Sequence, residues 1–323
     1  MKRIANLLLI SELRGYQYAP AFIKKVVKEI LKKTRRAKSK LFQGRVTKES
    51  LKGDFARIGI KEGDTIMFHS SLSRLGEVDG GAETLIEALL ETVGRGGTVV
   101  VPTFHGLSLT AGDYTNDLEP CFDARHTPSR VGKVTEMFRH RKDALRSCHP
   151  THSVAAIGQN ASYIVKDHYR CDTPFSDGSP FERIMELGGK WLFLAVDIDK
   201  FTIFHVFEDH CPEFPYKVYY DHPLIVKTID MYGEEKVVRT KIHDYDLSLI
   251  RIDNDKSKVV LNRVRKRFDE MHVLGKGRVG NGISYTIDAR QGMGALGAML
   301  KMGETIYLSE KEQETLKIRR GQR

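Results

Sequence analysis

Thr202-Ile-Phe-His205-Val-Phe-Glu208-Asp-His210 places an imidazole, a carboxylate and a second imidazole in one short run. On a helix, positions i and i+3 share a face, so Glu208 would lie beside His205 and orient it or raise its basicity, as a general base requires. His205, Glu208 and His210 are also competent zinc ligands. Against that reading, HxxExH is not the HExxH of zinc proteases, and Cys121, Cys148, Cys171 and Cys211 show no ligand spacing. A structural pair fits the same spacing, so spacing alone leaves base, metal site and structural role open. Two more imidazoles stand three apart in His149-Pro-Thr-His152, and His69-Ser70-Ser71 offers hydroxyls and backbone N–H groups that suit phosphate or amide oxygens. A plain turn is the alternative for the Ser pair. Neither GxGxxG nor GxxxxGK[ST] occurs, which removes the main support for dinucleotide and P-loop readings.

The elements that must position these groups read as α/β. Thr47 reads as the N-cap of a helix that follows it, Asp64–His69 reads as a buried strand, and Glu83–Val93 reads as an amphipathic helix stopped by Gly94-Arg-Gly-Gly97. Strand-like runs recur at Thr98–Val101, Ser153–Ile157, Trp191–Val196, Val218–Tyr220, Leu224–Ile229 and Thr305–Leu308. Apolar strands alternating with helices predict a sheet covered on both faces. The polar clusters fall at strand ends, where open α/β sheets place ligands.

The 323 residues suffice for a full core, and no apolar run approaches the roughly 20 residues that span a bilayer. The four cysteines read as reduced thiols of a cytoplasmic protein. Of 52 Lys/Arg and 42 Asp/Glu, the first 43 residues hold 12 and 2, which leaves 40 of each sign in the remainder. The net charge of +10 is therefore local, and a neutral body without a basic stripe interleaved with aromatics argues against nucleic acid as a partner. Residues 20–40 read as a basic amphipathic helix, with Phe22, Val26 and Ile30 on its apolar stripe and Lys24, Lys28 and Arg35 around it. Such a helix would dock on the body, lie on an anionic membrane surface or contact an acidic partner. The expected division is an extension over residues 1–45 and a catalytic domain over residues 46–323.

Six motifs in order resemble those of the aminoglycoside 3-N-acetyltransferase family across roughly residues 47–300. They are His69-Ser-Ser-Leu-Ser with Gly80-Gly81-Ala82, Gly97-Thr-Val-Val-Val-Pro102-Thr103-Phe104, Phe122-Asp123 with Thr127-Pro128-Ser129, Arg146-Ser-Cys-His149-Pro150, Gly178-Ser-Pro180 and Thr202-x-x-His205-x-x-Glu208. Gly277-Arg-Val-Gly280-Asn281 also fits. The resemblance implies an α/β/α layered fold and acetyl-CoA-dependent transfer of an acetyl group to an amine of an aminoglycoside or related amino sugar, with no metal. It implies His205 as base with Glu208 as its partner, His168 and Asp172 as further pocket residues, and His149 and His152 as supporting or structural. His69, Ser70 and Ser71 would contact the pantetheine or pyrophosphate of coenzyme A, and Thr103, Thr127, Ser129 and Arg130 would line the same groove. Ala195-Val-Asp-Ile-Asp-Lys-Phe201 departs from the glycine-rich approach and the Asn that the family places before TxxHxxE. That departure lies where an acceptor would bind, so an amino sugar of a surface glycan or natural product is the alternative acceptor. A zinc hydrolase and a degenerate binding protein are the remaining alternatives.

Overall fold

The computed structural model describes residues 45–105, 121–254 and 257–316. The basic helix expected over residues 20–40 lies outside the described residues. Helix α1 (Lys48–Arg57) begins where expected: Thr47 and Ser50 exchange side chain-to-backbone bonds in a capping box, which satisfies two N–H groups that the first turn leaves open. The other helices of seven or more residues are α2 (Ala82–Val93), α3 (Lys133–Arg139), α4 (Pro180–Glu186), α5 (Ile203–His210), α6 (Lys258–Glu270) and α7 (Ala289–Lys301).

The strands are β1 (Thr65–Ser70), β2 (Thr98–Pro102), β3 (Phe122–Asp123), β4 (Leu145–Arg146), β5 (Val154–Gly158), β6 (Lys190–Leu194), β7 (Leu224–Ile229), β8 (Glu235–Thr240), β9 (Gly275–Val279) and β10 (Gly282–Asp288). Seven form one sheet in the order β4-β5-β2-β1-β6-β10-β9, and β3-β7-β8 form a second. In the large sheet β2, β1 and β6 run parallel, whereas β5, β4, β10 and β9 join antiparallel. Both faces are covered, as the apolar strands predict. Alternation along a strand sends Met67, Val100, Trp191 and Phe193 toward α4–α7, and Ile66, Phe68, Val99, Val101, Leu192 and Leu194 toward α1–α3.

Two expected strands are not strands. Val218–Tyr220 contributes a single bridge, Tyr219 to His243, and Thr305–Leu308 contributes one, Arg251 to Tyr307. Both runs are apolar because they pack on the core, not because they pair along a ladder. Leu224–Ile229 is a strand, but it belongs to the small sheet with one face toward solvent: Leu224 and Thr228 are buried and Ile225 is exposed.

The three parallel strands end on the same edge, at Ser70, Pro102 and Leu194. The chain leaves β6 through Ala195, a non-glycine residue with φ of 54°. That left-handed geometry is costly for a residue with a Cβ. Gly282 sits opposite, where a Cβ would come within 2.3 Å of the Ala195 Cβ, and Ser284 Oγ accepts from the Ala195 N–H.

Candidate active site

Helix α5 starts at Thr202, whose side chain does not cap the helix; its Oγ1 accepts a hydrogen bond of 3.1 Å from the indole N–H of Trp191, a fully buried residue of β6. Ile203, Phe204 and Val206 are buried in the core, which fixes the rotation of the helix. His205 Nδ1 then donates to Glu208 Oε2 at 2.7 Å, across one turn. A carboxylate only accepts, so Nδ1 carries the proton and Nε2, which has no hydrogen bond among the described residues, presents its lone pair.

The Glu208 carboxylate is fully buried, and Tyr307 donates to its Oε1 at 2.7 Å. Burial opposes its charge, but the attraction of His205 and the bond from it, with help from His243, outweigh that and hold the carboxyl well below its usual range. His243 is a second imidazole on the same carboxylate. Its Nε2 lies 3.6 Å from Glu208 Oε2, and its ring is 4.4 Å from that of His205 between centroids. Phe175 packs beside both rings, at 4.7 and 5.5 Å. His152 stands next to this group, 4.9 Å from Phe175 and 6.2 Å from His243, with Nδ1 2.9 Å from Thr151 Oγ1.

His210, considered with His205 and Glu208 as a zinc set, points elsewhere. It follows Glu208 by two residues and so faces away; Nδ1 donates to Val206 O at 2.8 Å, and Nε2 meets Asp177 at 2.8 Å and Glu182 at 3.1 Å. His243 takes the third place instead. His205, Glu208 and His243 each offer a ligand atom within 4.8 Å of the others, as do Asp177, Glu182 and His210. In the first group His205 Nδ1 and Glu208 Oε2 are already joined by the 2.7 Å hydrogen bond, and His243 Nε2 stands 3.6 Å from the same oxygen.

His168 is fully buried and has both ring nitrogens engaged, with Ser147 Oγ and with the Pro174 carbonyl, each at 3.0 Å; burial pushes its pKa down to about 3. It stacks on His149 at 4.4 Å, and no hydrogen bond joins it to His205 or Glu208. Asp172 is exposed, and its backbone carbonyl accepts from Lys241 N at 2.7 Å and Thr240 Oγ1 at 3.3 Å.

The residues expected to meet coenzyme A divide by exposure. Ser70, Ser71 and Thr127 are half-buried and Arg130 is exposed. His69 is buried against Phe193 in a stacked pair at 5.8 Å, and burial lowers its pKa to about 3. Ser129 is buried, with its N–H on Glu136 at 2.7 Å and its hydroxyl 2.8 Å from that of Thr135. Thr103 is fully buried, in a network that sequence reasoning did not anticipate. Arg146, 3% exposed, donates to Thr103 Oγ1 and O at 3.0 and 2.7 Å, to Ser153 Oγ at 3.3 Å and to the carbonyls of Ala124 and Thr127. All five acceptors are neutral, and burial lowers the Arg146 pKa to about 9. A buried cation thus ties together three segments at the edge where β2, β3 and β5 meet.

The chain is similar to known proteins over most of its length. The family profile described as aminoglycoside 3-N-acetyltransferase matches residues 67–301. Aminoglycoside N(3)-acetyltransferase VII of Streptomyces paromomycinus is 30% identical over 264 residues, spanning 76% of this chain and 88% of the relative. Among solved structures, AAC-IIIb in a binary complex with CoASH superposes with a TM-score of 0.68 at 27% identity, over 82% of this chain and 100% of that one. A mutant of the aminoglycoside acetyltransferase AAC(3)-IVa in complex with a gentamicin superposes with a TM-score of 0.67 at 27% identity, over 84% of this chain and 95% of that one.

Proposed function

The chain belongs to the aminoglycoside 3-N-acetyltransferase family of acyltransferases, which use acetyl-CoA as co-substrate, and from that premise we propose that it acetylates an amino group of an aminoglycoside or related amino sugar with His205 as general base. The observation that carries the residue assignment is the 2.7 Å bond from His205 Nδ1 to the buried Glu208 carboxylate. It leaves Nε2 as proton acceptor and stabilises the imidazolium that forms there.

The acceptor nitrogen attacks the thioester carbonyl and passes a proton to His205 Nε2. The tetrahedral intermediate collapses with cleavage of the C–S bond, and the thiolate recovers that proton, so that amine and acetyl thioester become amide and thiol. Backbone N–H groups at the Ser70–Ser71 turn suit the developing oxyanion. Ser70, Ser71, Thr127 and Arg130 are proposed to meet coenzyme A, with Arg130 as a cation for its phosphates. His69, Thr103 and Ser129, being buried, support that groove from beneath, and His168 and His149 hold the pocket wall.

A thiol-release assay with acetyl-CoA and a panel of aminoglycosides and amino sugars tests the reading. His205→Ala is expected to lower kcat by about 10² to 10⁴, the contribution of a positioned general base. Full turnover by His205→Ala would remove His205 from this role, and failure of the parent to acetylate any amine would remove the acceptor class.

A further inference from the structure

His243 Nε2 is buried and has no hydrogen-bond partner among the described residues, although it faces Glu208 Oε2 at 3.6 Å. A buried polar atom left unpaired is costly, so its placement calls for a physical account. The backbone of His243 is held firmly. Tyr220 N–H donates to Ile242 O at 3.0 Å and Asp244 N–H to Val218 O at 2.9 Å, on either side of the Tyr219–His243 bridge. The Tyr219 ring stacks on the imidazole at 4.6 Å with 30° between planes. His205, Glu208, Tyr219, Phe175 and His152 stand around it. Burial, with the charges of His205 and Arg251 beside it, keeps His243 neutral at ordinary pH by lowering its pKa to about 4, against the pull of Glu208.

We propose that His243 is a positioning residue for the acetyl transfer: its Nε2–H closes onto Glu208 Oε2 as the imidazolium forms on His205, so that one carboxylate oxygen is shared between two imidazoles. Three donors then surround the buried carboxylate, Tyr307 on Oε1 and the two histidines on Oε2. A neutral third donor serves this purpose better than a charged one, because a second imidazolium would compete with His205 for the same negative charge. Tyr219 and the backbone bridge hold the ring within reach while the 3.6 Å gap leaves room for the bond to shorten. This inference rests on His205 as the base.

The test compares H243F, which keeps a ring and loses the donor, with H243Q, whose amide N–H reaches the place of Nε2–H. H243F is expected to lower kcat about tenfold, a part of the roughly 10² to 10⁴ that a positioned base supplies, with KM for acetyl-CoA within about twofold of the parent. H243Q is expected to recover most of that loss. A second readout does not depend on turnover: the low-field proton resonance of His205 Nδ1–H moves in H243F and returns toward the parent in H243Q. Unchanged kcat and resonance in H243F would overturn the proposal, as would equal losses in both variants, which indicate ring packing alone. Should H243F fail to fold, H243L against H243Q puts the same question. If His205→Ala retained turnover while the resonance responded as stated, the base assignment would fall and the hydrogen-bond relation would stand.

Discussion

Glu208 is a negative charge in the interior, and a charge there persists only where donors replace the water it has lost. Tyr307 supplies one of them, so Tyr307→Phe is expected to destabilise the fold by about 2 kcal/mol, the scale of a hydrogen bond to a charged group. Calorimetry measures that loss, and kcat is expected to fall with it because the carboxylate is freer to turn from His205. The His205–Glu208 pair was legible in the sequence because one helical turn joins the two residues. His243 and Tyr307 were not legible: they stand 35 and 99 positions beyond Glu208, and no local pattern marks a residue that tertiary folding alone brings to the site. His168 illustrates the reverse. The family resemblance suggested a pocket role for it, while its two satisfied ring nitrogens and complete burial become visible only once the loop around Pro174 is folded against it.

At the scale of elements, residues with strong periodicity were readable and those without it were not. Helix α2 and the strands β1 and β2 sit where apolar spacing placed them, within a residue or so at each end. Strand β9, Gly-Lys-Gly-Arg-Val, has no apolar run to announce it; it forms because β10 offers an antiparallel partner from Gly282 to Thr286. Val218–Tyr220 misled in the opposite sense, since an apolar run serves packing as well as pairing. One glycine shows how close the elements approach. Gly158 closes β5 with φ of 125°, and a Cβ there would lie 2.2 Å from the Gly97 carbonyl oxygen. Gly158→Ala therefore meets both a forbidden backbone region and a backbone clash, and is expected to cost about 2 kcal/mol or more, read as a lowered denaturation midpoint.

For the whole molecule, the concentration of buried neutral imidazoles sets the response to acid. Burial lowers His69 and His168 to about 3 and His243 to about 4, and it lowers His149 and His152 well below the ordinary value of 6.5. The unfolded chain therefore binds more protons than the folded one across this interval, so stability is present in full above about pH 6.5 and is lost as pH falls toward 4 and 3. Each group contributes a slope of up to about 1.4 kcal/mol per pH unit. The melting temperature is expected to drop continuously between about pH 6.5 and 4 in calorimetry; a flat profile over that range would contradict the burial of these rings. The two faces of the sheet differ in another respect. The cluster under α1–α3 draws on residues 46–157 with only Leu192, Leu194, Ala195 and Val279 added from later in the chain, whereas the face that carries His205 and Glu208 extends to Leu308. During synthesis the first face can begin to pack before much of the second has been translated. A nascent chain halted before Thr305 holds every residue of the His205–Glu208–His243 group but lacks Tyr307, so the buried carboxylate gains that donor only after the group itself has been made.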